Sequence, residues 1–145
     1  GVDKNQPPPR AWRRRPRMNV VDSSGWLEYY AGGENRAFFA PVIQQVDALI
    51  VPTISLYEVF KRIVLLRTEE EALLAIAWMS TGRVIELTEK IALAAALISI
   101  EHKLPMADSI ILATARAFNA TLWTQDEHFQ GLAGVKYIAK PAGGA

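Results

Sequence analysis

The stretch PMADSIILATARAFNATLWTQD, residues 105–126, constrains the chain more than any other part of it. It places one acid, Asp108, in the first turn of a predicted helix and a second, Asp126, just past a predicted strand. Ala107, Ile110, Ile111, Ala113, Thr114, Ala117 and Phe118 recur at the spacing of one helix face. Pro105 suits the start of that helix and Asn119 its end. Thr121, Leu122, Trp123 and Thr124 then read as a short buried strand. In an open parallel α/β sheet, the carboxyl end of a strand is where ligands bind.

The start of the chain repeats the pattern. Met18, Asn19, Val20 and Val21 form a short apolar run, Asp22 follows it directly, and Ser23 or Ser24 can cap a helix running through Trp26, Leu27 and Tyr30. A third acid, Glu58, lies within TISLYEVFKRIVLL, where Ile54, Tyr57, Val59, Phe60, Ile63 and Val64 make a broad apolar surface. A charge in such company is costly unless paired or bound to a metal. If the strands are parallel neighbours, Asp22, Glu58, Asp108 and Asp126 converge. Clustered carboxylates repel one another and need a cation. Their hard oxygens suit Mg²⁺ or Mn²⁺, and a hydrated ion of this kind suits phosphodiester chemistry.

The chain has 145 residues, which points to one domain with a full core. It has no cysteine, so it has neither a disulfide framework nor a thiolate zinc site. The formal charge of +1 conceals an asymmetry. Residues 1–17 hold six basic residues and one acid, and the remainder holds ten basic and fourteen acidic residues. The body is therefore acidic, so any RNA must be met through metal ions and local basic groups. The Pro run and Arg run of residues 1–17 show no apolar periodicity, and the first strand opens at Met18. They read as a disordered basic leader foreign to the natural chain, in preference to an arm that grips nucleic acid. The apolar run 91–100 is too short for a membrane helix, which needs roughly 20 residues.

In order, the expected elements after the Asp22 helix are a helix over 34–46 despite Pro41, a strand over 48–51, and the Glu58 helix capped by Thr53 or Ser55. A helix capped by Thr68 follows to Met79, then a strand over 84–87 and a helix over 89–102 capped by the Thr88 hydroxyl. After the 105–126 unit come a helical turn at 126–129 and an edge strand over 135–138. Strands alternating with helices indicate an α/β fold, a three-layer α/β/α sandwich around a mostly parallel sheet.

The set VDSSGWLEY at 21–29, SLYEV at 55–59, ADSIILATA at 107–115 and TQD at 124–126 resembles the PIN-domain ribonuclease family, and within it the VapC-type toxins of toxin–antitoxin pairs. The resemblance spans about residues 18–140, leaving 141–145 as a flexible tail. It implies a cytoplasmic, metal-dependent endoribonuclease that hydrolyses RNA. Asp22, Glu58, Asp108 and Asp126 would hold Mg²⁺ or Mn²⁺. It also implies a homodimer and a cognate antitoxin whose C-terminal segment covers the acidic pocket.

Structural roles compete with these assignments. Asp22, Asp108 and Asp126 can each cap a helical turn, and Glu58 can pair with Lys61 or Arg62. His102 and His128 read as surface or structural residues, and Thr124 as a hydroxyl that orients its loop. Trp26, Trp78 and Trp123 read as core or interface groups. Arg116 is placed either to meet a phosphate or to solvate a helix face. Two rival functions are a phosphatase-like acid-cluster hydrolase and a non-enzymatic PIN-fold interaction module. VDSSGW lacks the paired-Asp spacing that the phosphatase reading needs, and the presence of all four acids argues against the module.

Overall fold

The computed structural model describes residues 4–6 and 17–142. Five strands, β1 (Asn19–Val21), β2 (Leu49–Pro52), β3 (Arg83–Ile85), β4 (Thr121–Thr124) and β5 (Val135–Tyr137), form one sheet in the order β3-β2-β1-β4-β5. Every pairing is parallel. Six α-helices connect them: α1 (Ser23–Ala31), α2 (Arg36–Gln44), α3 (Thr53–Leu66), α4 (Glu69–Met79), α5 (Glu89–His102) and α6 (Met106–Ala117). The expected three-layer architecture is the one observed.

The layers follow from side-chain alternation along the strands. Val20, Ile50 and Leu122 face one core with Ile91, Ala95 and Ile98 of α5 and Ile110 and Ile111 of α6. Val21, Leu49 and Val51 face the other, with Trp26, Phe39, Val59, Ala75 and Met79 from α1 to α4. Successive strand residues point to opposite faces, so short strands that are apolar throughout must be covered on both sides.

Several boundaries differ from the sequence reading. The third strand is Arg83–Ile85 instead of 84–87, because it pairs with Ile50, Val51 and Pro52. Beyond Pro52 the chain turns into α3, so Glu86 and Leu87 have no ladder to join. No side chain caps α3: β2 runs into it through Pro52, Thr53 is already helical, and the buried Ser55 hydroxyl has no partner. The second helix is shorter than 34–46, because the Asn35 side chain is held elsewhere, and a 3₁₀ turn (Val46–Ala48) follows it. Pro41 is tolerated within α2 on the exposed side. Thr68 and Thr88 cap α4 and α5 as expected, accepting from the Glu71 and Ile91 amides. Most of the proposed leader, and residues 143–145 of the tail, lie outside the described residues. Arg17 is described and donates from Nε to Thr121 Oγ1 at 2.8 Å, which ties it to the domain. No helix among the described residues is long and apolar enough to cross a membrane.

Candidate active site

The strand order creates a switch point. From β1 the chain builds outward through β2 and β3, then returns to the other side of β1 as β4 and continues to β5. Crossovers therefore leave β1 in opposite directions, which opens a crevice at the carboxyl ends of β1 and β4. Asp22 follows β1 and Asp126 follows β4 within two residues. Val21 pairs with Trp123, and the Asp22 amide donates to the Trp123 carbonyl at 3.1 Å. The pairing sets both acids on one rim. α3 begins at the same rim after β2 and carries Glu58. α6 runs back antiparallel to the strands, so its first turn, with Asp108, lies there too.

Asp22 is the N-cap of α1, accepting from the Gly25 amide at 2.9 Å. It also accepts from Ser24 Oγ at 2.8 and 2.9 Å and from Thr124 Oγ1 at 2.6 Å. Capping and clustering are compatible, because a carboxylate has two oxygens. Thr124 Oγ1 in turn accepts the Asp126 amide at 2.9 Å, so one hydroxyl sets the position of both acids. Asp126 caps the 3₁₀ turn (Glu127–Phe129) by accepting from the His128 amide at 3.0 Å. Glu58 accepts from Ser23 Oγ at 2.6 Å. It forms no ion pair with Lys61 or Arg62; the Lys61 ammonium lies over the Tyr57 ring. Asp108 caps nothing: it lies within the first turn of α6, whose N-cap position, Pro105, has no side-chain hydrogen bond.

Burial pushes the Asp22 carboxyl up to about 7, against the hydrogen bonds from Thr124, Gly25 and Ser24; the nearby charge of Asp126 raises it further. Burial raises Asp108 as well, followed by the charge of Asp126, and Glu58 adds a smaller push. Asp126 thus acts on both Asp22 and Asp108, and Glu58 on Asp108; among the described residues only Asp108, Asp126 and His128 bring ligand atoms within 4.8 Å of one another. Among the described residues no lysine or arginine pairs with any of the four acids. The one nitrogen group present is His128, whose Nδ1 lies 3.2 Å from Asp108 Oδ2 and 3.3 Å from Asp126 Oδ1.

His128 and Ser23 are the polar neighbours that sequence reasoning did not attach to the acids. The position of His128 two residues after Asp126 was the available signal. Ser23 gave none, because its partner is 35 residues away. Thr124 orients the loop, as expected. Arg116 lies near the far end of α6 and donates to the Ala133 carbonyl at 3.4 Å, away from the acids. Trp26 is buried, Trp78 is exposed on α4, and Trp123 donates to Asn19 Oδ1 at 2.8 Å. Asn35 braces the rim from behind, donating to Gln125 Oε1 at 2.9 Å and to the Ala139 carbonyl at 3.0 Å.

The family profile for the PIN domain matches residues 20–135, and the chain belongs to the PIN domain family, whose members are nucleases. Within that family the chain is similar to VapC-type toxins. A toxin–antitoxin complex from Klebsiella pneumoniae aligns at 25% identity with a TM-score of 0.68, covering 82% of this chain and 96% of that one. VapBC2 from Rickettsia felis, bound to a DNA fragment from its promoter, aligns at 14% identity with a TM-score of 0.65, covering 84% and 98%. VapC20 from Mycobacterium tuberculosis, a toxin that cleaves the sarcin–ricin loop, aligns at 15% identity with a TM-score of 0.64, covering 78% and 92%. No curated protein matches the sequence closely.

Proposed function

We propose that the chain is a divalent-metal-dependent endoribonuclease and the toxin half of a toxin–antitoxin pair acting in the cytoplasm. The observation that carries this reading is that Asp108 and Asp126 come together with His128 at the carboxyl end of the sheet, with Asp22 and Glu58 on the same rim and no lysine or arginine paired with these acids among the described residues. A set of carboxylates, of which Asp22 and Asp108 have raised pKa values, suits a hard divalent cation, Mg²⁺ or Mn²⁺. Asp22, Glu58, Asp108 and Asp126 would hold it. When bound, such an ion acidifies a water and offsets charge developing on a phosphate.

The chain's own groups set up the rest. Thr124 and Ser24 orient Asp22, and Ser23 keeps one Glu58 oxygen turned toward the rim. A groove of about 660 Å³ adjoins Ser24 and Gln125, with Arg62 and Lys140 on its wall. Those two cations can meet an RNA backbone, although Glu28 and Glu34 stand on the same wall.

Two separate apolar surfaces support two protein partners. Leu27, Tyr30, Ile63, Leu66, Leu74 and Trp78 line a concavity of about 500 Å³ between α1, α3 and α4, a shape that accepts an amphipathic antitoxin helix. Leu93, Leu97 and Ile100 form an exposed row on α5, suited to an isologous homodimer.

An RNA cleavage assay tests the nuclease reading. Cleavage is expected to stop in chelator, to return with Mg²⁺ or Mn²⁺, and to be abolished by Asp108→Asn. Undiminished cleavage in chelator would refute it.

A further inference from the structure

His128 is half exposed, and among the described residues its ring has no hydrogen bond outside the acid cluster. Its Nδ1 nevertheless sits between two carboxylates on different elements, with Asp108 at the start of α6 and Asp126 after β4. One donor atom from each of the three residues lies within 4.8 Å of the other two. Two donors on one first-row ion, each about 2.1 Å from it, stand roughly 3.0 to 3.4 Å apart at octahedral or tetrahedral angles. The Nδ1 separations of 3.2 and 3.3 Å fall in that interval. The backbone already holds this arrangement. The His128 amide donates to Asp126, which fixes the turn, and Phe129 beside it is wholly buried in the core under α6.

From this geometry we infer that His128 is a nitrogen ligand that makes the acidic site selective for first-row transition ions over Mg²⁺. The inference rests on the proposed metal-dependent function and specifies the ion. Mg²⁺ strongly prefers oxygen donors and retains its waters, so it gains little from an imidazole. Fe²⁺, Ni²⁺, Cu²⁺ and Zn²⁺ suit imidazole nitrogen, and Mn²⁺, the hardest of the first-row ions, accepts the carboxylates here while tolerating a nitrogen donor better than Mg²⁺ does. An all-acid site would leave this choice to metal supply alone, whereas a mixed nitrogen–oxygen site biases it.

The test uses the full chain, stripped of metal, with Mn²⁺ and Mg²⁺ as probes. Electron spin-echo spectra of the Mn²⁺-loaded protein are expected to show coupling to an imidazole nitrogen, and His128→Ala to lose it. By calorimetry the same substitution is expected to weaken Mn²⁺ about tenfold and to leave Mg²⁺ within about twofold. Melting curves in chelator check that the variant folds, and the wild-type spectrum decides the question even if it does not. Mn²⁺ binding without nitrogen coupling, or equal loss of both ions in the variant, overturns the role of His128 and leaves the acid-held metal intact. Binding of neither ion to the wild type overturns both.

Discussion

Asp22 is almost fully buried, with both of its oxygens already accepting hydrogen bonds and its carboxyl pushed to about 7. Its folded value lies above the ordinary 3.8, so between the two the folded protein holds a proton that the unfolded chain has released. That contribution to stability is complete below the unfolded value and disappears as pH rises through the folded one. The metal-free protein is therefore expected to lose melting temperature between about pH 4 and pH 7 and to level off above it. Asp22→Asn, which cannot ionise, is expected to flatten that slope. Added divalent metal should recover stability at the upper end, since an ion bound only by the folded state stabilises it by mass action. A slope identical in wild type and variant would show that the Asp22 carboxyl ionises as freely as one in water.

At the scale of elements, the rim depends on how closely α1 approaches its neighbours. Gly25 lies in the first turn of α1, where its amide feeds Asp22. A Cβ built there would stand 2.6 Å from Phe39 Cε1 of α2 and 2.6 Å from Val21 Cγ1 of β1. Both atoms belong to buried side chains of the same core, so neither can swing aside into solvent. Gly25→Ala is expected to destabilise by about 2 kcal/mol in a denaturant titration, because overpacking outweighs the roughly 1 kcal/mol that Ala gains over Gly in a helix. An unchanged midpoint would mean that α1 can shift without cost. Such a shift would move Asp22 and Ser23 together, which makes Gly25 the packing position on which the rim's geometry turns.

At the scale of the molecule, the proposed dimer would use the exposed stripe of α5 and the proposed antitoxin the concavity between α1, α3 and α4. Leu93, Leu97 and Ile100 are exposed at 63%, 69% and 77%, and their spacing aligns them along one stripe of α5. With the fold intact, Leu93→Glu combined with Leu97→Glu is expected to convert a dimer to a monomer in light scattering. Melting temperature measured well below the dissociation concentration should change little, because neither side chain belongs to the core. A wild type that is monomeric at every concentration would remove the dimer from the proposal.

The amino-acid sequence alone determined the element order and the parallel three-layer class, and it put forward the four acids as candidates, because each is a local signal: an apolar run of strand length, a helical repeat, an acid after a strand or among apolar helix residues. Capping was also legible where the donor and acceptor are three residues apart, as at Thr68 and Thr88. Strand ends were not, since β3 stops where β2 turns away, a fact written in another part of the chain. The faces of α5 were equally hidden, because its Ala and Leu residues are spread around the helix and only the packing of α6 against it decides which are buried. The site divides in the same way. That Asp22 and Asp126 follow strands could be read off the chain, but that those strands are neighbours, that Thr124 bonds Asp22 across 102 residues, and that His128 faces Asp108 across 20, follows only from the strand order. Long-range pairings are set by which surfaces must be buried together, and that is decided only when the whole chain has packed.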